Sequence, residues 1–475
     1  MVKPSSKFYI DALFSPARFI IMITRLLALG ISLLSVLNAE LPNNDVIQKR
    51  PNILLICIDD LRPELPSFGK DYIKAPHIEK LFSEGRLFKR HYVQAPTCGA
   101  SRYAMLTGLY PDNSEKLGNG YIPKHNHIEQ PTIPAHFRKN GYHTAAVGKV
   151  SHYPGNLTGK NWANKNTPEV PNAWDSAPQS NGEWKNAQAL MHGYANGQAR
   201  KKKVTPVMEA KDARYPDDAI MDGYREEFKK VTQQDKPWFL AVGLIRPHLP
   251  FACHTKYLDL YKDTKLPDIP ANTHPEKDEF WHASRELLSQ YQHDVDPREN
   301  AHQADMLRKH YAACVSSSDN HIGEIIDLLK QADADKNTIV ILWGDHGWHL
   351  GEHKIWGKHS PYAVALHSPL CIKLPAMNQA GTPSSEIVET IDIYPTLCDL
   401  ADIKKPIHLQ GSSLTNILLD PTKKSDGQAV SYWGKLKSSI TKNEHKIIDI
   451  KSDEITQRYN LASDPHETNN LITND

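Results

Sequence analysis

The sequence predicts an α/β fold with a large, mostly parallel or mixed central sheet that is flanked by helices. Continuous apolar runs of strand length recur between residues 52 and 374, as in strands that are buried on both faces. Amphipathic stretches of helical period separate these runs. After about residue 406 the apolar runs become short and alternating, which predicts a small C-terminal subdomain built on an antiparallel sheet.

The apolar runs predict the positions of the strands, and the stretches of helical period predict the positions of the helices. We expect the buried strands at 52–58, 142–148, 238–245, 337–343 and 369–374. We expect helices at 75–85, 132–141, 217–231, 303–332 and 389–401, several of which end in Lys or Gly. The C-terminal strands are expected at 429–433, 438–441, 445–450 and 457–461. Residues 155–214 show no sustained hydrophobic periodicity, which is typical of a functional loop or a flexible insertion.

Length and composition are those of an ordinary globular protein. The chain has 475 residues, of which 40% are hydrophobic and 23% are charged, and its formal net charge is +1. Nucleic-acid-binding domains usually carry a basic excess, so we expect no nucleic-acid partner.

The N-terminal region has the layout of an export signal. Arg18 and Arg25 precede an uncharged apolar run at 26–37, and Asn38-Ala39-Glu40 follows as a small-residue cleavage site. We expect a signal peptide at 1–39 and an exported protein, in a periplasmic, extracellular or lysosome-like compartment, without stable membrane association. The apolar residues 19–23 leave an uncleaved anchor as the alternative. The remainder divides into a main domain at 40–405 and the C-terminal subdomain at 406–475.

Cys98 has unusual neighbours for a cysteine. Free cysteine is usually buried among apolar residues, and Cys57 and Cys371 lie in such runs. Cys98 instead lies in the stretch PTCGASR, with Arg102 four residues beyond it. Small polar neighbours and a nearby cation expose and activate a thiol, so we expect Cys98 to be exposed and reactive.

Two of the buried strands end in acidic residues. Asp59-Asp60 follows the strand at 52–58, and Asp345-His346 follows the strand at 337–343. Ligands of open α/β sheets lie outside the carboxyl ends of the strands, so both pairs are expected to face one crevice. Neighbouring carboxylates repel each other unless a cation joins them, and oxygen ligands suit Ca²⁺ or Mg²⁺. The alternative is that each Asp only caps the next helix.

Basic residues follow other strands of the same sheet. Lys149 and His152 follow the strand at 142–148, and His248 lies in RPHLP after the strand at 238–245. Lys358 closes the stretch HGWHLGEHKIWGK, and Arg102 lies in a predicted helix. Together these groups suit a tetrahedral anion that a metal polarises. Each has a simpler alternative, as a solvated lysine or a histidine bonded to a carbonyl group.

The sequence resembles a known family, the type I sulfatases of the alkaline-phosphatase superfamily. The stretch CGASR at 98–102, followed by MLTG at 105–108, resembles the family signature, although Ala100 stands where proline is commoner. Further stretches resemble the iduronate-2-sulfatase group within the family. They are DDLRP (59–63), GKVSH (148–152), RPHLPF (246–251), DHGWHLGEHKIWGK (345–358) and YNLASDPHETNNL (459–471).

The resemblance implies a formylglycine at position 98, made from Cys98 by a maturation enzyme, and a catalytic sulfatase domain at 40–405. It implies Ca²⁺, in preference to Mg²⁺, held by Asp59, Asp60, Asp345, His346 and residue 98. It also implies that Arg102, Lys149 and Lys358 bind sulfate, while His152 and His248 transfer protons. One hydroxyl of the hydrated aldehyde would attack sulfur, and loss of a proton from the second would then expel sulfate.

Three functions remain open from the sequence. The first is hydrolysis of a sulfate ester on a carbohydrate, with a 2-O-sulfated uronate as one candidate. The second is hydrolysis of phosphonate monoesters or phosphodiesters by the same formylglycine. The third is a non-catalytic protein that binds sulfated glycans. Other features have two interpretations each: a basic stretch at 200–203, a glycosylation sequon at 156–158, and Trp162, Trp174 and Trp184, which either stack on sugars or anchor the loop.

Overall fold

The chain is built around a seven-stranded mixed sheet with helices on both faces. The computed structural model describes residues 50–121, 130–153, 169–170, 172–178, 181–201 and 204–472. The predicted signal peptide, the sequon at 156–158 and Trp162 lie outside these residues. Among the described residues, no helix is long and apolar enough to cross a membrane.

The helices and strands are numbered here in chain order. The α-helices are α1 (Pro76–Glu84), α2 (Cys98–Thr107), α3 (Ile133–Lys139), α4 (Ala187–Met191), α5 (Pro216–Thr232), α6 (Thr255–Leu258), α7 (Arg285–Leu288), α8 (Ala301–Gln331), α9 (Ala363–Leu366), α10 (Ile393–Leu400) and α11 (Thr415–Leu419). The first strands are β1 (Asn52–Ile58), β2 (Arg86–Tyr92), β3 (His143–Gly148), β4 (Val207–Ala210), β5 (Trp238–Leu244), β6 (Phe251–His254), β7 (Thr338–Gly344) and β8 (His349–Leu350). The others are β9 (Trp356–Gly357), β10 (Leu370–Lys373), β11 (Ser384–Glu389), β12 (Gln428–Trp433), β13 (Leu436–Thr441), β14 (Glu444–Asp449) and β15 (Ile455–Asn460).

The strand order of the central sheet is β11-β2-β10-β7-β1-β5-β3. Only β10 runs against its neighbours β7 and β2, and the other pairs are parallel. Ile58 at the end of β1 lies opposite Leu244 of β5 and Gly344 of β7. The carboxyl ends of these three strands therefore meet at one edge of the sheet, where the functional residues lie.

Strand β1 shows why the sheet is buried on both faces. Its even-numbered residues from Leu54 to Ile58 pack in a core with α1, α5 and α8. Its odd-numbered residues from Ile53 to Cys57 pack in a second core with α2, α3 and α10. All seven residues of β1 are buried, which is why the run NILLICI is apolar without alternation.

The predicted fold class is confirmed, and the five predicted strands of the central sheet are found within two residues of their expected bounds. The strands β2 and β11 were not predicted. Their sequences, RLFKRHY and SSEIVE, contain charged residues that interrupt an apolar run. Arg86 of β2 is nevertheless buried, because its guanidinium donates to the carbonyl oxygens of Gln379 and Leu418, at 3.0 and 3.1 Å.

The C-terminal sheet has the order β12-β13-β14-β15 and is antiparallel throughout, as predicted. Ala429 and Ile440 of this sheet pack with Tyr92 and Ile387 from the edge of the central sheet. The described chain from Arg50 onward forms one compact unit. The domain boundary after residue 405 stays a prediction.

We predict that Gly243→Ala will disturb the junction between β3 and β5. A methyl group at Gly243 would lie 2.0 Å from the carbonyl oxygen of Lys149, which is backbone and cannot move aside cheaply. We expect the free energy of unfolding in urea to fall by about 1–3 kcal/mol, as for other overpacked positions. Gly118→Ala is the control, because its new methyl group would meet only an ordinary contact at 3.7 Å. Equal stability of the two variants would contradict the prediction.

Candidate active site

Four residues of the acidic strand ends lie together at the carboxyl edge of β1 and β7. Asp59, Asp60, Asp345 and His346 are all fully buried. The backbone NH of Asp60 donates to Oδ1 of Asp345 at 2.9 Å, which ties the two strand ends together. Asp60 has a left-handed backbone with φ of 57°, a conformation that aspartate tolerates better than most residues. None of the three aspartates is the N-cap of a described helix, so the capping alternative does not apply to them.

Cys98 is the first residue of α2, directly beside this cluster. Its Sγ lies 3.3 Å from Nε2 of His346 and 3.4 Å from Nζ of Lys358. The prediction of an exposed, activated thiol was wrong, because Cys98 is only 1% exposed and burial raises its pKa well above the usual range. Its small neighbours serve close packing instead: a methyl group at Gly99 would lie 2.4 Å from the backbone of Asn119.

The three predicted anion-binding cations are paired with the carboxylates. Nε of Arg102 donates to Oδ2 of Asp345 at 3.0 Å, and its guanidinium also lies 3.4 Å from Oδ1 of Asp59. Nζ of Lys149 donates to Asp59. Nζ of Lys358 donates to Oδ1 of Asp60 at 2.7 Å. All three cations are buried, so none of these pairs is screened by water.

The carboxylates differ in how well they are compensated. Burial alone would raise the pKa of Asp59, but the charges of Lys149 and other nearby cations hold it well below the usual range. Burial raises the pKa of Asp60 well above its usual range, despite the nearby Lys358. Burial and the charge of Asp59 raise the pKa of Asp345 to about 7. The nearby cations therefore offset burial only in part at Asp60 and Asp345, and a further cation beside them would favour their ionised forms.

Asp59, Asp60 and His346 of this cluster, together with Cys98, fit a divalent cation, whereas the oxygens of Asp345 accept hydrogen bonds from Asp60 and Arg102. Single ligand atoms from Asp59, Asp60, Cys98 and His346 all lie within 4.8 Å of one another. Oδ2 of Asp60 is buried and has no hydrogen-bond partner among the described residues. Nδ1 of His346 donates to the carbonyl oxygen of Gly347 at 2.9 Å, so the lone pair of Nε2 faces the cluster. An orphaned carboxylate oxygen and an oriented imidazole are the features that a bound cation explains.

The two predicted proton-transfer histidines lie beside the same cluster. Nδ1 of His248 donates to the carbonyl oxygen of Leu249 at 2.6 Å, which turns Nε2 toward the site. His152 is buried, and its Nδ1 has no hydrogen-bond partner among the described residues. Burial, together with the charge of Lys149 or Lys358, lowers the pKa of both histidines well below the usual range.

Three carboxylates near the site were missed by the sequence analysis. Glu286 of α7 lies 3.2 Å from Nζ of Lys358. Glu169 accepts hydrogen bonds from the backbone NH groups of His152 and Tyr153, at 3.2 and 2.8 Å. Asp217 accepts from the backbone NH of Arg246 at 2.9 Å and so holds the segment that carries His248. Glu286 and Glu169 lie outside the recognised motifs, in stretches that gave no signal.

The C-terminal sheet lies against the segment that precedes Cys98. The rings of Trp433 and His359 are stacked, with centroids 4.9 Å apart and planes 20° apart. The backbone NH of His359 donates to the carbonyl oxygen of Pro96 at 3.1 Å. The backbone NH of Tyr432 donates to the carbonyl oxygen of Gln94 at 2.8 Å. The end of β12 is thereby fixed to the segment that precedes Cys98.

The irregular stretch at 155–214 is partly ordered where it is described. It contains α4 and β4. Trp184 is buried, and its Nε1 donates to the carbonyl oxygen of Gln198 at 2.9 Å. Trp174 lies against Phe239 of the central sheet, with ring centroids 6.2 Å apart. Of the two interpretations, these two tryptophans therefore fit anchoring of the loop to the core.

Comparison with known proteins finds sulfatases among the relatives of this chain. The sulfatase family model matches residues 51–403, and a model for the C-terminal region of N-sulphoglucosamine sulphohydrolase matches residues 351–475. Human iduronate 2-sulfatase is 29% identical over 390 residues, which are 75% of this chain and 70% of that protein. A sulfatase of Formosa agariphila is 28% identical over 471 residues, or 94% of this chain and 88% of that protein.

Solved structures have the same fold at lower sequence identity. A phosphonate monoester hydrolase of Agrobacterium radiobacter has a TM-score of 0.68 and 21% identity, covering 89% of this chain and 91% of its own. A 2-O GAG sulfatase has a TM-score of 0.64 and 19% identity, covering 90% and 88%.

The chain belongs to the sulfatase family. It is an enzyme of the sulfuric ester hydrolase class, and the predicted resemblance to iduronate-2-sulfatases is confirmed by the human and mouse enzymes, at 29% and 30% identity.

We predict that Arg102→Met will strongly destabilise the protein. The change leaves Asp59 and Asp345 buried without their shared cation, and breaking such a pair costs about 3–5 kcal/mol. The measurement is the free energy of unfolding in urea. Arg138→Met is the control, since Arg138 forms an exposed pair with Asp175 at 2.6 Å, and such pairs contribute about 1 kcal/mol or less. A loss below that of the control would show that the buried network does not depend on Arg102.

Proposed function

We propose that this protein is an exported, calcium-dependent sulfatase that removes sulfate from a sulfated carbohydrate, with formylglycine at position 98. One observation carries the proposal. Sγ of Cys98 lies within hydrogen-bond reach of both His346 and Lys358, at the edge of a buried carboxylate cluster that fits a divalent cation. When present, the cation would polarise the sulfate ester and the formylglycine hydrate would supply the nucleophile.

Formal charge supports an anionic substrate. The carboxylates of Asp59, Asp60 and Asp345 are matched by the cations Arg102, Lys149 and Lys358. A divalent cation therefore leaves this part of the site positive, which favours a sulfate ester. A neutral ester would gain nothing from that excess charge.

The other side chains of the site have different proposed roles. Arg102 and Lys149 pair with Asp59 and Asp345 and hold them in place, and Lys149 and Lys358 would also bind the sulfate group. His248, with Lys358 beside it, would protonate the departing alcohol, which would otherwise leave as a poorly stabilised alkoxide. His152 would accept the proton of the second hydroxyl at position 98, and its orphaned Nδ1 is consistent with a group that gains a partner only during the reaction.

The proposed substrate is a 2-O-sulfated uronate. Its support is the likeness to human and mouse iduronate 2-sulfatases, which extends over three quarters of this chain. Phosphonate monoester hydrolases share the fold at 21% and 23% identity, so turnover of phosphonate monoesters is the competing outcome. A panel of sulfated uronides, sulfated hexosamines and a phosphonate monoester distinguishes these cases by kcat/KM.

The formylglycine is tested directly by mass spectrometry of the tryptic peptide 91–102, HYVQAPTCGASR, from protein purified from its natural source. We expect the aldehyde, or its hydrate, in place of the thiol of Cys98. Unmodified cysteine in fully matured protein would remove the nucleophile and favour a glycan-binding role.

We predict that Cys98→Ser will abolish turnover when the protein is made in a host that matures only cysteine. Serine has one hydroxyl, so it has no second proton whose removal would expel sulfate. The measurement is kcat on a sulfate ester that the wild type hydrolyses. Cys371→Ala, at a buried cysteine of β10, is the control and should keep turnover. Full turnover by Cys98→Ser would refute the mechanism.

We predict that Asp60→Asn will weaken calcium binding. The change keeps the shape of the side chain but removes a charge from the cluster, and calcium affinity depends on the number of charged ligands, so we expect a loss of roughly 10-fold or more. Bound metal is measured by elemental analysis after equilibrium dialysis. Asp112→Asn is the matched control, since Asp112 is half exposed and pairs only with Lys116 among the described residues. Wild-type calcium content in Asp60→Asn would contradict the proposed site.

A further inference from the structure

Glu286 places a carboxylate between the two groups proposed to protonate the leaving alcohol. Its Oε1 lies 3.2 Å from Nζ of Lys358 and 3.7 Å from Nε2 of His248. Its Oε2 is buried and has no hydrogen-bond partner among the described residues. A buried carboxylate oxygen nearly always has a partner, so this one is available to accept a hydrogen bond from a group that approaches during the reaction.

The segment that carries Glu286 is fixed to the active site. His282 donates through Nε2 to the carbonyl oxygen of Lys358 at 2.8 Å. The backbone NH of Trp356 donates to Oγ of Ser284 at 2.8 Å. These two bonds hold the start of α7 against β9, so the distance between Glu286 and Lys358 is set by the backbone on both sides.

The ammonium group of Lys358 has three N–H donors and three partners. Oδ1 of Asp60 lies at 2.7 Å, Oε1 of Glu286 at 3.2 Å and Sγ of Cys98 at 3.4 Å. Two carboxylates thus fix the rotation of Nζ, and the remaining N–H is directed toward position 98, where the reacting ester must lie. Without Glu286 the ammonium could turn away from the ester.

His248 also depends on this carboxylate. Because Nδ1 of His248 already donates to a carbonyl oxygen, its ring can give a proton from Nε2 only as the imidazolium ion. Burial and repulsion from the neighbouring charge of Lys358 disfavour that cation, which is why the pKa of His248 lies well below its usual range. Glu286 faces both, so its negative charge offsets this repulsion.

We propose that Glu286 is a positioning residue that holds Lys358 and His248 as a leaving-group acid; this inference rests on the proposed function. In this step the attacking hydroxyl at position 98 would bond to sulfur as the bond from sulfur to the bridging oxygen breaks. The electron pair of the broken bond passes to the bridging oxygen, which takes the Nε2 proton of the His248 imidazolium. The alcohol leaves neutral, and His248 becomes neutral imidazole and takes up a proton again from water. Glu286 neither gains nor loses a proton in this step.

The test is the dependence of kcat on the acidity of the leaving alcohol. Matured wild type and Glu286→Gln are compared on substituted phenyl sulfates and on a sugar sulfate that the wild type hydrolyses. Protonation matters most for a poor leaving group, so we expect a loss of about 10- to 100-fold on the sugar sulfate and a distinctly smaller loss on the most acidic phenol. The plot of log kcat against leaving-group pKa should become steeper.

Glu299→Gln is the matched control, because Glu299 is an exposed residue whose carboxylate lies 3.8 Å from Nζ of Lys354. It should reproduce the wild-type slope. A Glu286→Gln variant with an unchanged slope would refute the positioning role, as would a loss of bound calcium, which would make Glu286 a metal ligand. A wild type that carries formylglycine yet hydrolyses no sulfate ester would refute the proposed function and this role with it.

Discussion

Three carboxylates buried side by side are the constraint on which the rest of this structure depends. Asp59, Asp60 and Asp345 lie at the ends of two neighbouring parallel strands, out of contact with water. Each buried charge costs several kcal/mol unless it is paired, so the fold must deliver cations to the same point. It does so from α2, from the end of β3 and from the segment after β9. The geometry needed for stability and the geometry needed to bind an anion are therefore largely the same.

Much of this arrangement was predictable because it follows from the sheet. Continuous apolar runs locate the buried strands, and the residues directly after them must lie at its carboxyl edge. Asp59 and Lys149 are found in this way, since each follows a strand by one residue. The strands β2 and β11 were missed because charged residues interrupt their apolar pattern. Those charges are accommodated by backbone acceptors far away in sequence, as Arg86 shows, and no local pattern reports such partners.

The errors within the site have a similar origin. Cys98 was expected to be exposed because its neighbours are small, but smallness equally permits close packing, and the packing partner Asn119 lies in a loop without a motif. Glu286 was missed because a single glutamate on a four-residue helix resembles any surface carboxylate in the sequence. Its position depends on the contacts of His282 and Ser284 with the segment at 356–358, which are tertiary. Sequence reasoning therefore found residues that follow predicted strands or lie in recognisable motifs, and missed Glu286, whose position depends on tertiary contacts.

The stacking of Trp433 on His359 has a consequence for the order in which the molecule is made. The strand β12, which lies against the segment that precedes Cys98, comes from a part of the chain that is synthesised long after the cysteine itself. Until that part has been made, the carbonyl oxygen of Gln94 lacks its hydrogen bond from Tyr432, and in the folded chain Cys98 is 1% exposed. Under the proposed conversion of Cys98 to formylglycine, a maturation enzyme would need to reach the thiol before this part of the chain folds around it.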